Sequence, residues 1–174
     1  MTFKYLTGMN LWSLCLSVLS LIILNGPNLV FAQKKVSKKA KVSICDLTLK
    51  QGVKGKILLL KGNFMPSPEA KAKQGVGVKR EIAFFELTRE DQTEAGKSSG
   101  FYKRVKTKLI KRVYSNGNGC FLAKLSTGKY SMFVKEEGEW YANSFGPNGE
   151  IFEVEVKEGD FIQLDFKISH GAAF

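Results

Sequence analysis

Apolar and polar side chains alternate within residues 161–168, with Ile162, Leu164, Phe166 and Ile168 set against Gln163, Asp165 and Lys167. A period of two places one set on one face of an extended strand and the other set in water. The same rhythm returns at Phe152, Val154 and Val156 against Glu153 and Glu155, and at Tyr130, Met132 and Val134 against Ser131 and Lys135. Phe121, Ala123 and Leu125 oppose Leu122 and Lys124, and Val105, Thr107, Leu109 and Val113 oppose Lys106, Lys108 and Arg112. Residues 53–60 and 78–87 are more continuously apolar and read as central strands covered on both faces. Turn chemistry separates the runs: Ser115-Asn116-Gly117-Asn118-Gly119, Ser126-Thr127-Gly128, Glu136-Glu137-Gly138, Gly146-Pro147-Asn148-Gly149 and Lys157-Glu158-Gly159-Asp160. Two polar stretches, 62–77 and 88–104, read as longer loops. With no internal repeat and no helical segment of useful length, the pattern predicts an all-β fold: an antiparallel sandwich of seven to eight strands over residues 42–170.

The first 32 residues follow a different rule. A single charge, Lys4, precedes an apolar core over residues 11–24, and Asn25-Gly26-Pro27-Asn28 then breaks any helix. Such a core is the length of a signal-peptide helix and short for a bilayer span, and Val30-Phe31-Ala32 offers the modest side chains a signal peptidase accepts. Residues 1–32 are therefore expected to be a cleaved signal peptide. The rival is an uncleaved anchor reaching back to Tyr5, which would put Thr7, Gly8 and Asn10 in the bilayer. Cys15 follows Leu14 inside the apolar run and reads as part of the signal, not as a lipid-attachment site. Residues 33–41 carry five lysines and read as a solvated basic tether. The mature protein is expected to be periplasmic or secreted.

A chain of 174 residues with a formal charge of +11 has room for one domain behind such an address, not for a two-domain enzyme. One histidine, His170, and three cysteines exclude a multi-histidine metal centre. Removing the signal leaves Cys45 and Cys120. An exported pair forms a disulfide or stays as two buried thiols, and the sequence holds both open. A bridge closing so long a loop would contribute about 4 kcal/mol on the chain-entropy account.

The segment Gly119-Cys120-Phe121, followed by Leu125, Gly128, Tyr130 and Val134, resembles the "DGxF…L…GxYxxxV" signature of carboxypeptidase regulatory-like domains. Gly52-Val53-Lys54-Gly55-Lys56-Ile57 looks like that family's first strand, and residues 161–168 look like its last. The chain is also similar to small exported proteins of the Bacteroidetes type, in stretches such as Gly62-Asn63-Phe64-Met65-Pro66, Arg80-Glu81-Ile82, Phe85-Glu86-Leu87-Thr88 and Gly128-Lys129-Tyr130-Ser131. The resemblance spans residues 53–168 and implies a transthyretin-like (prealbumin-like) sandwich of about seven strands. It is specific for a fold and says little of function. Asn118 stands where the family usually has Asp, and Asn is expected to keep the side-chain bond of the turn.

Candidate chemistry is sparse. In metallocarboxypeptidases this module follows a zinc-bearing domain; none is expected here, since one histidine with two distant cysteines does not assemble a zinc site. Neither G-x-S-x-G nor S-x-x-K stands in a suitable context. Glu86, Asp165 and the Glu136-Glu137 pair read as solvent-facing carboxylates. No catalytic residue, metal or cofactor is expected, and the protein is not expected to be an enzyme. Two surfaces are candidates for binding. Phe101-Tyr102 and Trp140-Tyr141 can stack on a sugar or anchor a partner protein, although alternation turns one of Trp140 and Tyr141 inward. The basic stripe Lys103, Arg104, Lys106, Lys108, Lys111 and Arg112 reads as a solvated face, with Lys106, Lys108 and Arg112 as candidate contacts to a polyanion. Nucleic acid is not the expected partner, because an exported protein seldom meets it and stacking aromatics along the stripe are missing. The expectation is a non-catalytic module of the cell envelope that contacts a glycan or another envelope protein, meeting the membrane only through its signal segment before cleavage. The alternatives are a small exported hydrolase using acidic residues and a purely structural envelope protein.

Overall fold

A computed structural model describes residues 44–47, 50–65 and 74–174, all within a unit spanning Lys41–Phe174. The expected signal peptide and basic tether lie outside the described residues. Among the described residues no helix is long and apolar enough to cross a membrane.

The strands in chain order are β1 (Gly52–Asn63), β2 (Val76–Gly77), β3 (Glu81–Glu86), β4 (Thr93–Ala95), β5 (Phe101–Val105), β6 (Leu109–Tyr114), β7 (Cys120–Ala123), β8 (Gly128–Glu136), β9 (Glu139–Tyr141), β10 (Glu153–Val156) and β11 (Phe161–Ala173). Single turns of 3-10 helix lie at Ile44–Asp46 and Glu90–Gln92. The eleven segments exceed the seven or eight runs legible by alternation because β2, β4 and β9 are only two or three residues long.

They form two sheets. In the smaller, β1 is central: β11 runs parallel along one edge, from Gly52 beside Phe161 to Asn63 beside Ala173. Its other edge is shared by β7, which pairs Ala123 with Val53, and β2, which pairs Val76 with Leu59. In the larger sheet the order is β4-β5-β9-β8-β3-β6, with β10 beside the first half of β8. Every pairing is antiparallel except β1 with β11. The close approach of those two depends on Gly55, where any Cβ would strike the Leu164 carbonyl.

Register decides which side chains meet between the layers. Ile82 and Phe84 of β3 sit beside Val134 and Met132 of β8, Val134 beside Tyr141 of β9, and Tyr141 beside Phe101 of β5. That face packs on Val53, Ile57, Phe121, Ala123, Phe166 and Ile168 of the smaller sheet, and all of these are buried. Each large apolar side chain removed from water this way stabilises the fold by roughly 1.5–3 kcal/mol. Phe152, at φ 39°, leaves the regular strand conformation and stacks its ring on Phe166 with centroids 4.5 Å apart.

Three expectations need correction. Residues 78–87 contain a strand buried on both faces, Ile82 to Phe85, but residues 53–60 do not: Lys56 is exposed and Leu58 and Leu59 are half-buried. The run from Val105 to Val113 is not one strand, because a turn at 106–108 divides it into β5 and β6, and Leu109 is exposed. The stretch 88–104 is not a loop throughout. It contains β4 and the start of β5, so Phe101 and Tyr102 belong to a sheet.

Candidate functional site

The four aromatic candidates are all in the core. Phe101, Tyr102, Trp140 and Tyr141 are 2%, 6%, 9% and 3% exposed. Strands β5 and β9 pair Phe101 with Tyr141 and Tyr102 with Trp140, and alternation sends the two pairs to opposite faces of the larger sheet. The first pair packs between the sheets, with ring centroids 4.9 Å apart and Tyr141 6.3 Å from Phe166. The second is largely covered as well, because the far face carries its own aromatic cluster. Phe85 meets Phe133 at 5.5 Å and Trp140 at 5.8 Å, and Tyr102 meets Phe133 at 5.6 Å, all edge to face. Beside that cluster the fully buried Thr88 donates its N–H to Ser131 Oγ at 2.9 Å, while its own hydroxyl lies 2.6 Å from that of Thr107. The Lys135 ammonium caps the Trp140 face at 4.5 Å. Burial, with the Glu90 carboxylate nearby, pushes the Tyr102 hydroxyl up to about 12. These residues hold the larger sheet together, and of the four, Phe101 and Tyr102 keep a small exposed part at a cavity of about 390 Å³ beside Phe145.

The polyanion candidates do face water. Lys106 and Lys108 are exposed on the turn between β5 and β6 and, with exposed Lys111, have no ion-pair partner among the described residues. Arg112, also exposed, is engaged: its Nε lies 2.8 Å from Glu81 Oε1. The structure thus separates the free lysines from the occupied arginine.

Cys45 and Cys120 are bridged, with Cα atoms 5.3 Å apart, tying the turn at Ile44–Asp46 to the start of β7. Beyond the bridge, Asn116 Oδ1 accepts the N–H groups of Asn118 at 2.9 Å and Cys120 at 3.0 Å. The turn bond expected of Asn118 is therefore made by Asn116. After β7, Gly128 takes a φ of 153° and Tyr130 donates its hydroxyl to the Ser126 carbonyl at 2.9 Å. This corner is the physical content of the G-x-Y motif.

Glu86, Glu137 and Asp165 are exposed as expected, but Glu136, expected to face solvent, is buried and paired. Buried Glu136 accepts from Arg80 Nε at 2.5 Å and from a second guanidinium nitrogen at 3.3 Å, a bond that raises the Arg80 pKa. His170 Nε2 lies 3.6 Å from the other Glu136 oxygen, and Glu137 holds Lys97, which keeps the Glu137 carboxyl below its ordinary range. Ligand atoms of Glu136, Glu137 and His170 lie within 4.8 Å of one another, but both carboxylates already face a cation.

A cavity of about 670 Å³ opens on the outer face of the smaller sheet, where the sequence pointed to no site. Its floor is set by the parallel register. Lys56 lies beside Asp165 and Leu58 beside Lys167, so period two turns these four side chains to one face. The Lys56 N–H donates to Asp165 Oδ1 at 3.1 Å. On the free edge of β11, Asn143 Nδ2 donates to Ser169 Oγ at 2.7 Å and to the Lys167 carbonyl at 3.1 Å. Asn118 stands on the opposite side, and Phe64 and Phe174 close one end with ring centroids 5.9 Å apart. Phe174 is 70% exposed. Among the described residues the cavity therefore joins two ammonium groups, one side-chain carboxylate, amide groups and an accessible aromatic face. In the sequence Lys56 and Lys167 are ordinary polar members of alternating runs, and only the pairing of strands far apart in the chain brings them together.

No family model, no curated protein and no solved structure matches this chain.

Proposed function

We propose that the chain is an exported, non-catalytic binding module of the cell envelope, of carboxypeptidase regulatory-like build, and that its ligand is an acidic glycan held in the cavity over β1 and β11. One observation carries this reading: Lys56, Lys167 and the exposed Phe174 ring line one concavity of about 670 Å³, within the range of sites for small ligands. An aromatic face stacks on a sugar ring, amides and a carboxylate bind hydroxyls, and two ammonium groups against one carboxylate favour a negatively charged sugar. The overall charge of +11 adds long-range attraction for the same class of ligand. The hydrolase reading has less support, because a glycosidase flanks the scissile bond with two carboxyl groups and among the described residues Asp165 is the one acidic side chain lining this cavity.

The test is a calorimetric titration with trigalacturonate and, as the neutral control, maltotriose. The acidic trimer is expected to bind and the neutral one to bind at least tenfold more weakly. Lys56→Ser with Lys167→Ser is expected to cost about 1.5–3 kcal/mol of affinity, the range for hydrogen bonds to charged groups, without changing the melting temperature. Equal binding of the two sugars, or an unaffected double variant, would defeat the proposal.

A further inference from the structure

We infer that the free edge of β6 accepts an acidic, extended polypeptide segment as an added strand. The inference is independent of the glycan site, which lies on the other sheet. Strand β6 ends the larger sheet and pairs only with β3. The register shows which of its backbone groups remain open. The Ser115 N–H donates to the Arg80 carbonyl at 3.0 Å, so residues 80 and 115 are a hydrogen-bonded pair. Alternation along an antiparallel ladder makes 82 with 113 and 84 with 111 such pairs too. The N–H and C=O groups of Arg112 and Tyr114 consequently point away from β3, and none has a hydrogen-bond partner among the described residues.

The side chains on this strand are those of a docking edge. Leu109, Ile110 and Tyr114 are large apolar groups exposed by 39%, 38% and 58%. An exposed edge of this kind is a template for another strand unless something blunts it. Lysine is the usual blunting residue, and here it also selects the occupant. Lys106, Lys108 and Lys111 are exposed and lack ion-pair partners among the described residues, so a segment bearing Glu or Asp gains where a neutral or basic one does not. A second copy of this chain is disfavoured by the same charges. Pairing two β6 strands through their open groups sets Arg112 against Arg112 or Tyr114 of the other copy and brings Lys111 and Arg112 of both chains to one seam, a like-charge cost that an acidic segment does not meet.

The probe is a synthetic eight-residue peptide alternating valine and glutamate, added to the 15N-labelled protein and followed by fluorescence anisotropy and amide exchange. Binding is expected, with the Arg112 and Tyr114 amides becoming at least tenfold more protected. Lys106→Glu with Lys108→Glu and Lys111→Glu is expected to weaken binding at least tenfold. Two further peptides separate strand addition from simple charge attraction: one methylated at every valine amide, the other at every glutamate amide. An added strand bonds through one edge only, so one of these must bind and the other fail. If both bind like the parent, if both fail, or if the parent peptide does not bind, the inference is overturned. Protection of Arg112 and Tyr114 that rises with protein concentration alone would give the edge to a second copy and overturn it equally.

Discussion

Tyr102 illustrates how much one side chain reports about its surroundings. Its ring meets Phe133 edge to face, and the residue as a whole is buried. A tyrosine ordinarily ionises near 10, and burial followed by the nearby Glu90 charge holds this one up to about 12. The folded value is raised, so the stabilisation is complete below pH 10, where both states keep the proton. It is lost as pH rises from 10 to 12, because the unfolded chain releases its proton first. Urea unfolding across that window is expected to show the wild type losing roughly 1–3 kcal/mol more than Tyr102→Phe. Parallel profiles for the two proteins would mean that Tyr102 is open to solvent and that the outer aromatic cluster is not formed.

At the scale of the element, β8 is the strand on which the larger sheet depends. Met132 and Val134 point into the space between the layers while Ser131 and Phe133 serve the opposite face, and all four are fully buried. Phe133→Ala should cost about 3–5 kcal/mol in thermal or urea unfolding, as large a loss as an inward-facing aromatic would give. A cost under about 1 kcal/mol would show that the outer cluster is ornament on a one-sided sheet. The alternation in β8, β10 and β11 was legible in the sequence because period two is a local property of the chain. So was the buried run at Ile82 to Phe85. Other features were not, and the reasons are specific. A covered outer face depends on the segment around Thr88 folding back beside Ser131, a contact 43 residues distant in sequence. Without it, Trp140 and Tyr102 read as half-available aromatics. The split between β5 and β6 was hidden because Thr107 fits the alternation although it lies in a turn. The cavity was hidden because its floor joins Lys56 to Asp165, 109 residues apart, through a parallel pairing that no local pattern announces.

For the whole molecule, the two sheets divide the work. The larger sheet is covered on both faces by aromatic packing, and it ends in the short strand β4 on one side and the basic edge of β6 on the other. The smaller sheet keeps one face on the core and leaves the other to Lys56, Asp165 and Lys167. The disulfide fastens the chain entering β1 to β7 on that same sheet. Function, on this account, resides on the outer face of the smaller sheet, and the conspicuous aromatic pairs are structure. The most direct test is a map of backbone amide shifts in the 15N-labelled protein on addition of trigalacturonate. The account predicts that the shifts gather at Lys56, Leu58, Asn118, Asn143, Asp165 and Lys167, with none at Phe101, Tyr102, Trp140 or Tyr141. Shifts centred on those four aromatics, with Lys56 and Lys167 unmoved, would contradict it.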